Sequence, residues 1–86
     1  NKGMAVDIQV PGAPASLYSD MASWIMKNIN FDQFILEHGK SVWLHISYDI
    51  TKSSQRGMYG TYYPRKSPNY QWSKLVNYYE NGRVIT

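Results

Sequence analysis

The stretch Val42 to Tyr48, VWLHISY, sets the strictest limit on what this chain can become. Val42, Leu44, Ile46 and Tyr48 fall on one side of an extended backbone, and Trp43, His45 and Ser47 on the other. A period of two marks a strand with one face toward a core. Just before it, Phe31 to Glu37 (FDQFILE) is a second strand candidate that ends in a carboxylate. His38, Gly39 and Lys40 make a tight connection between the two, with Gly39 free to take a positive φ. A β-hairpin is the economical reading.

Met4 to Val10 (MAVDIQV) also alternates. It reads as a half-buried strand, with Met4, Val6, Ile8 and Val10 inward and Ala5, Asp7 and Gln9 outward, and Pro11-Gly12 stops it. Pro14 suits the first turn of a helix, where its missing N–H costs nothing. From Ser16 to Lys27 the residues Leu17, Met21, Trp24, Ile25 and Asn28 keep helical spacing, and Tyr18 and Ala22 widen the stripe. Gly57 to Tyr63 is a short strand or an extended loop, and Arg65 to Asn69 a basic loop. Lys74 to Tyr79 and Arg83 to Thr86 flank Glu80-Asn81-Gly82, a hairpin turn signal that outweighs a helix over Tyr70 to Tyr79. The expected fold is α+β: a small antiparallel sheet with one main helix. Residues 1–86 form a single domain, with a motif-bearing core over 1–50 and a Tyr-rich extension over 51–86.

A chain of 86 residues buries a modest share of its surface. It has no cysteine, so no disulfide can compensate. A metal, a partner chain or further polypeptide would supply the deficit. Eight Tyr, three Trp and two Phe argue for a packed structure rather than a disordered one. The net charge of +3 is scattered, and only Arg65 and Lys66 sit side by side. Nucleic acid binding needs a denser patch, whereas weak attraction to an anionic polymer such as a cell wall fits. No apolar run approaches the ~20 residues of a membrane span. The chain opens on Asn1 with no signal peptide, and reads as a piece of something longer or a processed product.

Asp7, Glu37 and His45 stand out as ionisable groups within or at the end of apolar strands, where they are costly unless paired or metal-bound. The plain reading of each alone is structural: a satisfied histidine, or a carboxylate capping a turn. Together they suggest more. If the first strand neighbours the hairpin, Asp7 and His45 face one cleft as two ligands of an N/O zinc site, with Glu37 nearby as a base. Catalytic zinc takes three protein ligands and one open position, so a third is wanted. His38, beside a glycine in a turn, is poorly placed to supply it. There is no Gly-x-Ser-x-Gly elbow, no cysteine nucleophile and no phosphate-binding glycine loop.

Two segments resemble a known family. Gly3-Met4-Ala5-Val6-Asp7-Ile8 is similar to the second half of the Ser-x-His-x-x-Gly-x-Ala-x-Asp motif of the M15 zinc peptidases, which include D-alanyl-D-alanine carboxypeptidases and phage endolysins. Phe31 to Glu37 followed by Val42 to Tyr48 resembles the family's closing motif, most closely in its phage-type branch. The resemblance runs from Gly3 to Tyr48. It implies the zinc carboxypeptidase and hedgehog type of fold, incomplete at the N-terminus. It also implies Zn2+ as cofactor, Asp7 and His45 as second and third ligands, and Glu37 as the carboxylate that deprotonates the zinc-bound water. The first ligand, a histidine, would fall immediately before Asn1. The implied substrate is a peptidoglycan peptide containing D-amino acids, with Trp43 a candidate for lining its cleft or for packing. The implied setting is a phage tail, or the periplasm and cell wall after release. The implied partners are the upstream part of the same polypeptide or other virion proteins. A second expectation stands beside it: a non-catalytic, wall-binding or structural module of a phage tail or baseplate, which the Tyr-rich last third would suit.

Overall fold

In the computed structural model, residues 3–78 are described, together with the backbone of residues 83–85. The expected hairpin is present. Strands β2 (Gln33–His38) and β3 (Val42–Asp49) pair antiparallel, with Leu36 opposite Leu44 and Glu37 opposite Trp43. Gly39 in the turn does not have the positive φ expected of it. Its need for a bare Cα is steric, because a Cβ there would meet the Trp43 ring at 2.9 Å.

Strand β1 (Gly3–Ile8) adds antiparallel to the far side of β3, and helix α1 (Ala15–Asn28) follows it. Beyond the hairpin, β4 (Met58–Tyr62) lies on the free side of β2, and β5 (Gln71–Trp72) pairs antiparallel with β4. The five strands run in the order β1-β3-β2-β4-β5. The fold is therefore a small α+β domain with one helix among the described residues, but the sheet is mixed rather than antiparallel. β4 runs parallel to β2.

The reason for the parallel pair lies in the crossing over residues 50–57. β3 ends beside the start of β2, and the chain passes that start instead of turning back on β3. Asp32 fixes the crossing by taking Arg56 in a fork, Nε to Oδ1 at 2.8 Å and the guanidinium NH2 to Oδ2 at 2.7 Å. The backbone N–H groups of Gly57 and Met58 donate to the carbonyls of Phe31 and Asp32, which launches β4 alongside β2. Such a two-pronged, charge-assisted contact is geometrically specific.

Helix α1 covers one face of the sheet. The core comprises Tyr18, Ala22 and Ile25 from the helix, Phe31, Phe34 and Leu36, then Val42, Leu44 and Leu75. Each large apolar side chain removed from water contributes about 1.5–3 kcal/mol. The buried stripe is rotated from the one read in the sequence. Tyr18, Ala22 and Ile25 face inward, while Trp24 is 59% exposed. Tyr18 turns its hydroxyl to the backbone N–H of Val10 at 2.7 Å, tying the helix to the end of the first strand segment. No helix among the described residues is long and apolar enough to cross a membrane.

β1 corrects a second expectation. It is an edge strand, and Met4 and Val6 are exposed rather than half-buried, because the helix reaches only as far as Ile8 and Ile46 on that side. The C-terminal hairpin is made of β6 (Leu75–Asn77) and β7 (Arg83–Ile85), paired antiparallel; residues 79–82 and the side chains of β7 lie outside the described part. Described residues after β4 pack into the core. Leu75, Val76 and Asn77 are buried, the Thr61 hydroxyl bridges Lys74 O and Val76 N, and Asn77 donates to Ala15 O at 2.8 Å.

Candidate functional site

Strand alternation sends one set of side chains away from α1, onto a face that no helix covers among the described residues. The pairing registers align that set in two rows across the sheet. One row runs Asp7, His45, Ile35, Gly60 and Trp72. The next runs Trp43, Glu37 and Tyr62, with Tyr70 stacked on Tyr62. Every residue singled out in the sequence for chemistry on this chain, except His38, stands in these two rows.

Asp7 and His45 are direct cross-strand partners, and Asp7 Oδ1 is 2.9 Å from His45 Nδ1. In the tautomer that protonates Nδ1, the imidazole donates to the carboxylate. Both side chains reach solvent, at 28% exposure for His45 and 64% for Asp7. Glu37 sits one strand over and one row along. It is half-buried, and burial raises its carboxyl above the ordinary value, with the Asp7 charge adding to the rise. The His45 imidazole and the Trp43 indole N–H pull the other way. A carboxylate lifted in this manner holds a proton more readily than an exposed one. Trp43 packs its ring against Gly39, and its indole N–H hydrogen-bonds the Glu37 carboxylate.

His38 is elsewhere. It ends β2 on the helix side of the sheet, is 2% exposed, and accepts the backbone N–H of Tyr78 at Nε2, 3.1 Å away. The rings of Tyr63 and Tyr78 pack against it, and burial lowers its pKa. Its neighbours make it part of the seam between the sheet and the C-terminal hairpin.

Sequence reasoning missed the other end of the face. Tyr62 and Tyr70 stack at 4.4 Å with planes 16° apart, and Tyr70 and Trp72 follow at 5.5 Å and 11°. The Tyr richness of the last third was the visible signal. Which of its rings meet depends on the β4–β5 pairing, which nothing in the sequence marks.

No group of three or more His, Cys, Asp or Glu side chains suited to a metal occurs among the described residues. Asp7 and His45 nonetheless have the donor types that zinc takes. With zinc-to-donor distances of about 2.1 Å, two corners of a tetrahedron lie about 3.4 Å apart, close to the 2.9 Å between these atoms. The pair therefore fits two of the positions, and Glu37 stands outside them. Compared with known families, curated proteins and solved structures, the chain matches none.

Proposed function

We propose that this chain carries most of the site of a zinc-dependent peptidoglycan peptidase, of the kind its Gly3–Ile8 and Phe31–Tyr48 segments resemble. The observation that supports it best is the cross-strand pair of Asp7 and His45, open to solvent on the face that also bears Glu37. In this reading Asp7 Oδ1 and His45 Nδ1 hold the metal, and a third ligand comes from polypeptide outside the described residues. Bound zinc supplies a water acidified toward neutrality and polarises the peptide carbonyl. Glu37 takes the proton from the attacking water and hands it to the leaving amine, a role suited to a carboxyl whose pKa burial has raised. Trp43 steadies that carboxylate through its indole N–H. The open sheet face leaves these side chains accessible to an extended peptide, and the setting is a phage tail or a lysin acting on the wall.

The test is zinc stoichiometry and affinity, by elemental analysis and chelator competition, on polypeptide that includes the residues preceding Asn1. About one zinc per chain, lost with His45→Ala, is expected. No zinc in that protein would sink the peptidase reading and leave a wall-binding or structural module. The exposed aromatic stack of Tyr70 and Trp72 favours that second reading.

A further inference from the structure

We infer that the Tyr62–Tyr70–Trp72 stack, with the small cavity beside Trp72, is a saccharide subsite that takes a pyranose ring of a neutral glycan strand. The stack lies beyond Tyr48, outside the segments on which the proposed function rests. The choice of a wall glycan as occupant does rest on that function, since the glycan is the polymer whose peptides would reach Asp7, His45 and Glu37.

Position comes first. Trp72 closes the row that Asp7 and His45 begin. Three strand spacings of about 4.8 Å separate β3 from β5, or about 14 Å. One extended polymer can therefore touch both ends of the face. Between them the row is lined by Ile35 and by Gly60, whose missing side chain lets the indole settle over its backbone: a Cβ there would be 2.9 Å from Trp72 Cε3.

The chemistry selects the occupant. Tyr70 and Trp72 are 44% and 40% exposed, an apolar cost that a packed core would have removed. The exposed surface of the stack, apolar in its rings and polar at the Tyr70 hydroxyl and the Trp72 indole N–H, suits a pyranose, which has a flat C–H face and a rim of hydroxyls. Trp72 also lines a cavity of about 210 Å³, together with Arg56, Gly57, Met58, Tyr59 and Ser73. The Arg56 charge is already matched by Asp32, yet its guanidinium keeps further N–H donors for neutral hydroxyls. Near the stack, the Glu37 carboxylate is close enough to help raise the Tyr70 phenol pKa, after burial. An anionic polymer would meet that charge and find no uncommitted cation in the cavity lining, whereas sugar hydroxyls can donate to it. Ser73 holds φ at 62°, a left-handed conformation unfavourable for a non-glycine residue, and such conformations gather at ligand-binding sites. Its N–H donates to Tyr59 O at 2.8 Å, which fixes the end of β5 and with it the indole.

The experiment is an NMR titration of the 86-residue chain with a soluble chitin tetrasaccharide. Saturable shifts centred on Gly60, Tyr62, Tyr70 and the Trp72 indole are expected. Trp72→Leu should weaken binding about tenfold, Trp24→Phe should leave it unchanged, and Trp72→Phe should restore most of it. Circular dichroism checks that each variant is folded. Absence of saturable shifts, shifts confined to other parts of the molecule, or undiminished binding by folded Trp72→Leu would each overturn the subsite. The wild-type shift map decides the matter even if Trp72→Leu does not fold. Zinc-dependent hydrolysis is scored separately: sugar binding without it removes the peptidase and keeps the subsite, and hydrolysis without sugar binding does the reverse.

Discussion

Asp7 and His45 face each other across β1 and β3 with Oδ1 and Nδ1 2.9 Å apart, Asp7 on the edge strand and both in reach of solvent. An exposed pair of this kind contributes at most about 1 kcal/mol to folding. Asp7→Ala is therefore expected to change the urea midpoint little, while zinc affinity falls at least about tenfold. A large loss of stability would show the pair to be structural.

Under the proposed function, Glu37 is expected to pull stability and activity in opposite directions. Burial raises its folded-state pKa above the unfolded one. The ionised form is thus disfavoured by folding, and stability is lost as pH rises from the unfolded value through the folded one. Glu37→Gln should melt at a higher temperature than wild type at neutral pH and at the same temperature in acid. Hydrolysis should drop about 100-fold or more, the usual contribution of a general base. Equal melting at all pH values would contradict the buried environment.

Asp32 has the opposite sign. Its bond to the Arg56 side chain lowers its pKa, so its contribution is present above the unfolded value and disappears as pH falls through the lower folded one. Asp32→Asn should melt earlier than wild type at neutral pH, with the gap closing below about pH 4. Hydrogen exchange at Gly57 and Met58, whose N–H groups bond to Phe31 and Asp32, should quicken in the same variant.

Gly60 is expected to resist even the smallest side chain. A Cβ there would lie 2.8 Å from Gln71 O and 2.9 Å from the Trp72 ring. Gly60→Ala should cost about 1–3 kcal/mol through overpacking, measured by urea denaturation. A neutral result would mean that β5 can shift outward without penalty.

Burial contrasts two apolar strand residues. Leu36 is fully buried and Val6 is 53% exposed. Leu36→Ala should destabilise by about 2–5 kcal/mol, and Val6→Thr by no more than about 0.5 kcal/mol. A large effect at Val6 would reveal a partner on the edge strand.

Alternation made the hairpin, the first strand and the carboxylate-bearing faces legible, and the cross-strand meeting of Asp7 with His45 followed once β1 was placed beside β3. Alternation does not say which strand ends at an edge, so the exposure of Met4 and Val6 was hidden. Helical spacing left two adjacent stripes, and only packing chose Tyr18, Ala22 and Ile25 over Trp24. The parallel β4 hangs on Asp32 and Arg56, two charged residues far apart in sequence whose pairing no local pattern announces. Glu37 earned attention from its place at a strand end near the supposed zinc ligands, and the resemblance is what singled it out as the carboxylate facing the zinc-bound water.

Glu37 and His38 are joined by one peptide bond, yet one faces the open side of β2 and the other anchors Tyr78 on the buried side. A slip of one residue would exchange them, sinking an acid into the core and lifting the anchor to the surface. An inserted or deleted residue within β2 therefore disrupts the acid and the hairpin seam together. The end of β2 thus has little freedom to drift.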